Sequence, residues 1–161
     1  METPTFPSGE LTLEPDPLPP ALGNCLICGQ GNPHGLRLRF QRLIAPDGGV
    51  IGVGAETTVP PYFQGFDDVL HGGVICAMLD DAMWWAVYTR HKAVTVTADM
   101  QLRFRQPAAT GSALRVEGIA GEGRRIYAAA ARLRDASGQV VAEATARFAA
   151  MPAEKAARLR F

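Results

Sequence analysis

The stretch His71-Gly72-Gly73-Val74-Ile75-Cys76-Ala77-Met78-Leu79-Asp80-Asp81 decides the fold of this chain. Two glycines open a segment that stays apolar on nearly every side as far as Arg90, and Asp80 and Asp81 are its only acidic residues. A helix that is apolar nearly all round is a buried helix. A carboxylate in such a helix is costly unless it is paired or put to use. We therefore predict a central buried helix over about 72–90, with a candidate site along it.

Patterns of period two, typical of half-buried strands, flank the helix on both sides. Before it, residues 36–41 and 51–55 alternate between apolar and other side chains around a turn at 46–49. After it, residues 94–104 show the clearest alternation, which places Thr97 on the polar face. Three further strands are predicted within 114–118, 126–134 and 140–148. The alanine-rich segment 126–134 favours a helix by propensity, but the close turns on both sides indicate a strand.

Short turns between the later strands imply antiparallel neighbours. A single buried helix is shielded from water only if a sheet wraps around it. The sequence therefore predicts an α+β domain, in which a curled antiparallel sheet of about five to six strands surrounds one long central helix.

The domain limits follow from composition. Residues 1–22 contain six of the twelve prolines, and we expect a Pro-rich extended or disordered tail there. The domain itself is predicted over 23–152, followed by a C-terminal tail at 153–161.

The charge balance and the cysteine count restrict the function classes. Sixteen basic and sixteen acidic residues give no net charge, which argues against binding to nucleic acid or to an anionic membrane. Three cysteines cannot form a closed set of disulfides, which favours a reducing compartment. The start of the chain lacks the pattern of a secretion signal, and the two central carboxylates disfavour a membrane span. We expect a cytoplasmic protein.

Three motifs carry a family resemblance over roughly residues 24–150. They are Gly65-Phe66-Asp67-Asp68-Val69-Leu70-His71-Gly72-Gly73 with Asp80 nine positions after His71, the run Thr97–Pro107, and Cys25-x-x-Cys28-Gly29 followed by Asn32-Pro33-x-Gly35-Leu36. The first two resemble the phenylacetic-acid-type acyl-CoA thioesterases of the hotdog fold, within the 4-hydroxybenzoyl-CoA thioesterase superfamily. The third is similar to a cysteine-bearing bacterial subgroup and to mammalian thioesterase-superfamily proteins.

The resemblance implies roles for the residues at the helix start. Free backbone N–H groups there suit the negative charge that develops on a thioester oxygen, and by resemblance the amide of Gly73, or of its neighbour Gly72, would hold that oxygen. His71 would support the loop through hydrogen bonds. Gln64 would hydrogen-bond the substrate or water.

Asp80 would then be the general base that activates water, or the nucleophile that forms a mixed anhydride. Thr97 matches the position at which related enzymes carry a hydroxyl that orients the water, although strict alternation points it away from the apolar face. A bulge, or an approach from a second subunit, would resolve this conflict. Asp81 lies about 100° further round the helix and is assigned to structure or to a subunit contact.

Helix geometry predicts that the site is shared between subunits. Gly73 and Asp80 are seven residues apart, which is about 10 Å along a helix. Because reacting groups must lie within about 3–3.5 Å of one another, one helix cannot place both residues on the same carbonyl. We expect a homodimer, with a dimer of dimers left open.

Other candidate groups have a weaker pattern. Cys25, Cys28 and His34 form a single CxxC without a second half or an apparent fourth ligand, so we expect no metal. No cofactor is expected either. Arg124 and Arg125, at a hairpin tip, are candidate partners for the phosphates of coenzyme A, or simply solvated surface.

The resemblance implies hydrolysis of an acyl-CoA or acyl-carrier thioester to a free acid and a thiol. Two alternatives stay open at this point. One is a non-catalytic hotdog module that binds acyl thioesters, and the other is a hotdog enoyl-thioester hydratase. The sequence does not reveal the acyl group.

Overall fold

The structure is a computed structural model and describes residues 2–19 and 23–159. The long helix α1 spans Gly72–His91, and a short helix α2 spans Ala153–Ala156. The strands are β1 (Thr12–Pro17), β2 (Gln41–Ile44), β3 (Val50–Thr58), β4 (Gln64–Phe66), β5 (Val69–Leu70), β6 (Thr95–Phe104), β7 (Ala113–Gly123), β8 (Ile126–Asp135) and β9 (Val140–Ala150).

Seven of these strands form one antiparallel sheet in the order β1-β2-β3-β7-β8-β9-β6, and β4 pairs with β5 in a separate hairpin. The sheet wraps around α1, whose buried side chains are Ile75, Met78, Leu79, Ala82, Met83, Trp85, Ala86 and Val87. The contact between helix and sheet is closest at Gly118 of β7, where a Cβ atom would lie 2.3 Å from the carbonyl oxygen of Ala82. Only glycine fits there, so the sequence of β7 fixes how near the sheet approaches the helix.

The fold predicted from the sequence is confirmed: one long helix lies in a curled antiparallel sheet. The helix begins at the predicted glycine, and the alanine-rich segment forms strand β8 rather than a helix. Its small side chains suit a strand that is buried along most of its length. The sheet has seven strands instead of five to six. None of the helices in the described ranges has the length and apolarity that a bilayer crossing requires.

The N-terminal segment differs from the expected tail. Residues Thr12–Pro17 form β1 at one edge of the sheet, and the flanking Leu11 and Leu18 are buried. Although a tail was expected here, these two leucines pack with core residues of the domain. Pro15 and Pro17 lie in this edge strand, where a missing N–H is tolerated. Met1 and residues 20–22 of the predicted tail lie outside the described residues.

Residues 36–41 were expected to form a strand, but only Gln41 belongs to one. Arg37 has a positive φ of 53°, which interrupts the regular ladder. The amides of Leu36 and Leu38 instead donate to the carbonyls of Leu26 and Ile27. This extended segment therefore holds the cysteine-bearing loop against the domain.

Candidate active site

The start of α1 presents one free backbone donor. The side chain of His71 caps the helix, because its Nδ1 accepts a 2.9 Å hydrogen bond from the amide of Gly73. The amides of Val74 and Ile75 both donate to the His71 carbonyl. Within the described part of the chain, the Gly72 amide makes no hydrogen bond. The Gly73 amide is therefore occupied by the cap, and of the two candidate donors the Gly72 amide is the one left without a partner among the described residues.

An open groove of about 690 Å³ lies beside this helix start. Its wall is largely apolar and includes Gly72, Phe66 and Phe104, with the loop after β6 on its far side. Phe66 is 82 % exposed and Phe104 is 53 % exposed in the single chain. A Cβ atom at Gly72 would lie 3.2 Å from the Phe104 ring, so glycine keeps the free amide accessible from the groove. Two further grooves on the protein are lined by neither Gly72 nor Gly73, and Asp80 lines none of the three grooves.

Asp80 projects from the middle of α1 toward strand β6. The hydroxyl of Thr97 donates a 2.8 Å hydrogen bond to Asp80 Oδ1. Burial raises the pKa of Asp80 above its usual value, and the hydrogen bond from Thr97 partly opposes that rise. Asp80 Oδ2 accepts no hydrogen bond from any described residue. This leaves one carboxylate oxygen oriented by the protein and the other open to a water molecule or an acyl group.

A bulge in β6 explains how Thr97 reaches Asp80. The pairing of β6 with β9 shifts register between Thr97 and Asp99. Before the shift Thr95 is buried and Val96 is 48 % exposed, whereas after it Met100 packs against the core. The inward face thus changes from odd to even positions at the bulge. The expected apolar face is wrong at Val96, and the bulge resolves the conflict over Thr97.

Part of the chain is similar to a known family. A family model described as Thioesterase superfamily matches residues 67–142, which include the helix, Asp80 and Thr97. The chain has the hotdog fold, and this range resembles the thioesterase superfamily. No curated protein matches it significantly.

Solved structures show the same hotdog fold. A thioesterase-superfamily protein determined by structural genomics is 26% identical, with a TM-score of 0.60 over 70% of this chain and 84% of that one. The Escherichia coli PaaI protein of the phenylacetic acid degradation operon is 16% identical, with a TM-score of 0.58 over 62% of this chain and 72% of that one. A Streptococcus mutans protein bound to acetyl CoA is 21% identical, with a TM-score of 0.58 over 62% and 80%.

Asp81, the second carboxylate of this hotdog helix, faces the loop that carries the cysteines. Its Oδ1 lies 3.7 Å from Cys25 Sγ. Burial, and then the nearby Cys25, raise the pKa of Asp81 to about 8. The hydrogen bond from Cys28, helped by backbone amides, lowers the pKa of Cys25 to about 5, while the same pairing raises the pKa of the Cys28 thiol. The two adjacent carboxylates therefore serve different partners, as their angular separation predicts.

This contact between Asp81 and the cysteines was missed by the sequence reasoning, which grouped His34 with them. His34 is not part of the cluster. Its place is taken by Asp81, which lies 56 positions after Cys25 in the sequence. The signal was present in the sequence, because two neighbouring carboxylates on a buried helix require two separate partners. The sequence alone could not say which segment would cover Asp81.

The remaining candidates are spread over the chain. Gln64 lies in the β4–β5 hairpin next to the helix start, and its Oε1 accepts from the Asp68 amide. Arg124 and Arg125 lie at the β7–β8 turn, near the other end of α1, where His91 contacts the carbonyl of Gly121. One chain of this hotdog protein does not bring the two arginines to the groove. Cys76 contacts Met100, and burial raises the pKa of its thiol, which disfavours a nucleophilic role.

Proposed function

We propose that the chain hydrolyses an acyl-CoA thioester to a free acid and coenzyme A, with Asp80 as the reacting carboxylate. The observation that carries this proposal is the 2.8 Å hydrogen bond from Thr97 to Asp80, which fixes a carboxylate in a largely apolar surrounding. Two comparisons support this class of substrate. Asp80 lies within the range that matches the thioesterase-superfamily model, and the similar Streptococcus mutans protein is bound to acetyl CoA. An acyl-carrier thioester would present the same reacting bond.

In this mechanism water attacks the thioester carbonyl carbon while Asp80 Oδ2 takes its proton. Negative charge moves onto the carbonyl oxygen, where the Gly72 amide and the positive end of the helix dipole stabilise it. The C–S bond then breaks, and the thiolate leaves with the proton held by Asp80. Thiolate is a good leaving group, so no strong acid is needed. The Thr97 hydroxyl keeps the carboxylate in one orientation throughout.

A nucleophilic route would use the same atoms in another order. Asp80 Oδ2 would attack the carbonyl carbon and expel the thiolate, and water would then hydrolyse the mixed anhydride. The two routes differ in a single turnover in water labelled with oxygen-18. The general-base route places the label in the product acid. In the nucleophilic route, water attacks the carboxyl carbon of Asp80 in the anhydride and breaks its bond to the bridging oxygen, so the product acid keeps an unlabelled oxygen of Asp80 and the label enters the Asp80 side chain.

The geometry supports a site shared by two copies of the chain. Gly72 and Asp80 are about 12 Å apart along α1, so one chain cannot bring both to the same carbonyl group. Strand β6 lies at a free edge of the sheet with Val96 and Phe104 exposed, and an exposed strand edge of this kind is a template for pairing. We propose a homodimer in which Gly72 of one copy faces Asp80 of the other. In the same proposal, Arg124 and Arg125 lie near the phosphates of the coenzyme A bound at the shared site.

The test is a thiol-release assay on a panel of acyl-CoA esters. The variant Asp80→Asn keeps the size of the side chain but removes the base, and we expect its kcat to fall by about 10²- to 10⁴-fold. Asp47→Asn, at the exposed β2–β3 turn, is the matched control and should keep wild-type activity. Light scattering during the same preparation reports the oligomeric state.

Four results would contradict the proposal. Full activity in Asp80→Asn removes the proposed catalytic residue, and full activity in a monomer removes the shared site. Binding of acyl thioesters without cleavage would instead establish a non-catalytic module, and hydration of enoyl thioesters would establish a hydratase.

The three free cysteines favour the cytoplasm as the compartment, which we propose as the location.

A further inference from the structure

Three potential ligand atoms meet at Asp81, about 100° around α1 from Asp80. They are the sulfurs of Cys25 and Cys28 and a carboxylate oxygen of Asp81, and all three lie within 4.8 Å of one another. A tetrahedral zinc ion with bonds of about 2.3 Å to sulfur and about 2.1 Å to oxygen would separate a sulfur from an oxygen by about 3.6 Å. The observed distance from Cys25 Sγ to Asp81 Oδ1 is 3.7 Å. Cys25 Sγ and Asp81 Oδ1 therefore already have the separation that one ion requires, and Cys28 Sγ lies within 4.8 Å of Cys25 Sγ and of a carboxylate oxygen of Asp81.

The loop is shaped to hold an anionic sulfur. The amides of Ile27 and Cys28 both point at Cys25 Sγ, each at 3.4 Å. The amide of Gly29 closes the turn by donating to the Cys25 carbonyl at 3.1 Å. A Cβ atom at Gly29 would lie 2.4 Å from the Cys25 backbone nitrogen, so only glycine permits this turn. Backbone donors around a thiolate are the kind of outer support that orients a metal ligand.

One buried carboxylate oxygen beside the cysteines has no partner. Asp81 Oδ2 is shielded from water and accepts no hydrogen bond of normal geometry, whereas the indole of Trp85 has the Cys28 thiol as a neighbour. No Lys, Arg or His in the described ranges forms an ion pair with Asp81. A buried carboxylate oxygen without a partner is costly. A cation bound between Asp81 and the two sulfurs would offset that cost, whereas a Cys25–Cys28 disulfide would leave Asp81 unpaired.

We propose that Cys25, Cys28 and Asp81 bind one divalent cation of the zinc class. Two thiolates and one carboxylate are a donor set for zinc rather than for magnesium or calcium, which take oxygen ligands. Three protein ligands leave the fourth tetrahedral position to water. The ion joins the N-terminal loop to the central helix at the residue that follows Asp80, so it fixes the turn of helix on which the reacting carboxylate stands.

The test uses Co²⁺ as a spectroscopic probe on the full-length chain, purified and reduced in the absence of metal. We expect uptake of one Co²⁺ per chain, with a thiolate-to-cobalt charge-transfer band, intense visible bands of a tetrahedral site, and loss of both when Zn²⁺ is added. Cys25→Ser and Asp81→Asn should each weaken Co²⁺ binding by at least about 100-fold. Cys76→Ser removes a cysteine outside the cluster and should bind Co²⁺ like the wild type.

A second measurement needs no variant and so does not depend on whether a variant folds. With Zn²⁺ present, the rates at which iodoacetamide alkylates Cys25 and Cys28 should fall by about tenfold or more, because the metal removes the free thiolate. The rate at Cys76 should not change. Failure of the reduced wild-type chain to bind Co²⁺, Co²⁺ binding without the thiolate band, or equal protection of all three cysteines would each overturn the proposal.

Discussion

Replacing Thr97 with valine tests how the hydroxyl group controls Asp80. Valine keeps the shape of threonine but cannot donate the 2.8 Å hydrogen bond to Asp80 Oδ1. A hydrogen bond to a charged group contributes about 1.5–3 kcal/mol, and Thr97 is exposed in the single chain, which favours the lower half of that range. A loss of about 1.5–2 kcal/mol corresponds to a decrease in kcat/KM of about 10- to 30-fold.

The same substitution should move the pH profile in a known direction. In the proposed mechanism Asp80 acts only when ionised, so activity should fall as the pH drops through its pKa, which burial raises above the usual value. The Thr97 hydrogen bond stabilises the ionised form and keeps that rise partial. Without it, the acid limb of the kcat/KM profile should move to higher pH. The assay is thiol release from one acyl-CoA ester across the pH range for the wild type, Thr97→Val and Thr97→Ser.

Serine restores the hydroxyl group, so Thr97→Ser should recover most of the rate and return the acid limb to its original position. The reasoning would be refuted by a valine variant whose acid limb coincides with that of the wild type. It would equally be refuted if serine and valine were impaired to the same extent, since the lost methyl group or altered packing would then account for the effect.

Two further predictions concern stability. Gly118→Ala places a Cβ atom 2.3 Å from the carbonyl oxygen of Ala82, so we expect the free energy of unfolding to fall by about 1–3 kcal/mol in urea titrations. Gly121→Ala in the same strand, where the nearest atom is 3.4 Å away, should be close to neutral, and equal losses would contradict the close approach of sheet and helix. Glu117→Gln removes the buried carboxylate that pairs with Arg115, Arg132 and Arg134. We expect it to lower the free energy of unfolding by about 3 kcal/mol. Glu122→Gln, which removes an exposed pair with an arginine, should cost about 0.5 kcal/mol or less, and a similar cost for both would show that burial adds nothing.

The sequence predicted the elements whose signals are local and periodic. The helix over Gly72–His91 is apolar nearly all round, and strands β7 to β9 are separated by short turns at 124–125 and 136–139. These patterns determine both the type of element and the antiparallel order of neighbours. The position of Asp80 beside Thr97 followed from the resemblance, but its geometry needed the bulge in β6, which no residue in the alternating pattern marks.

The features that the sequence did not predict depend on contacts between distant segments. Strand β1 is held to the sheet by Leu11 and Leu18, which flank it and are buried. The composition of residues 1–22 is dominated by proline, and it gives no indication that these two leucines are buried. Segment 36–41 has the right alternation for a strand, but its amides bond to the cysteine loop instead of to a neighbouring strand. The contact between Asp81 and Cys25 joins residues 56 positions apart. For segment 36–41 and for Asp81 the local pattern was correct about burial and silent about the partner, whereas for Leu11 and Leu18 it missed the burial as well.

The two edges of the sheet differ in a way that limits how copies of this chain can associate. Strand β1 carries Pro15 and Pro17, which lack the N–H groups that a further strand would need. Strand β6 has ten residues, none of them proline, and is open along its outer side. Two copies that join through β6 pair this strand with the same strand of the other copy. Each copy then has no second β6 edge to offer, so the assembly ends at a dimer. Blocking one edge with proline therefore stops the backbone ladder from extending into a chain of many molecules.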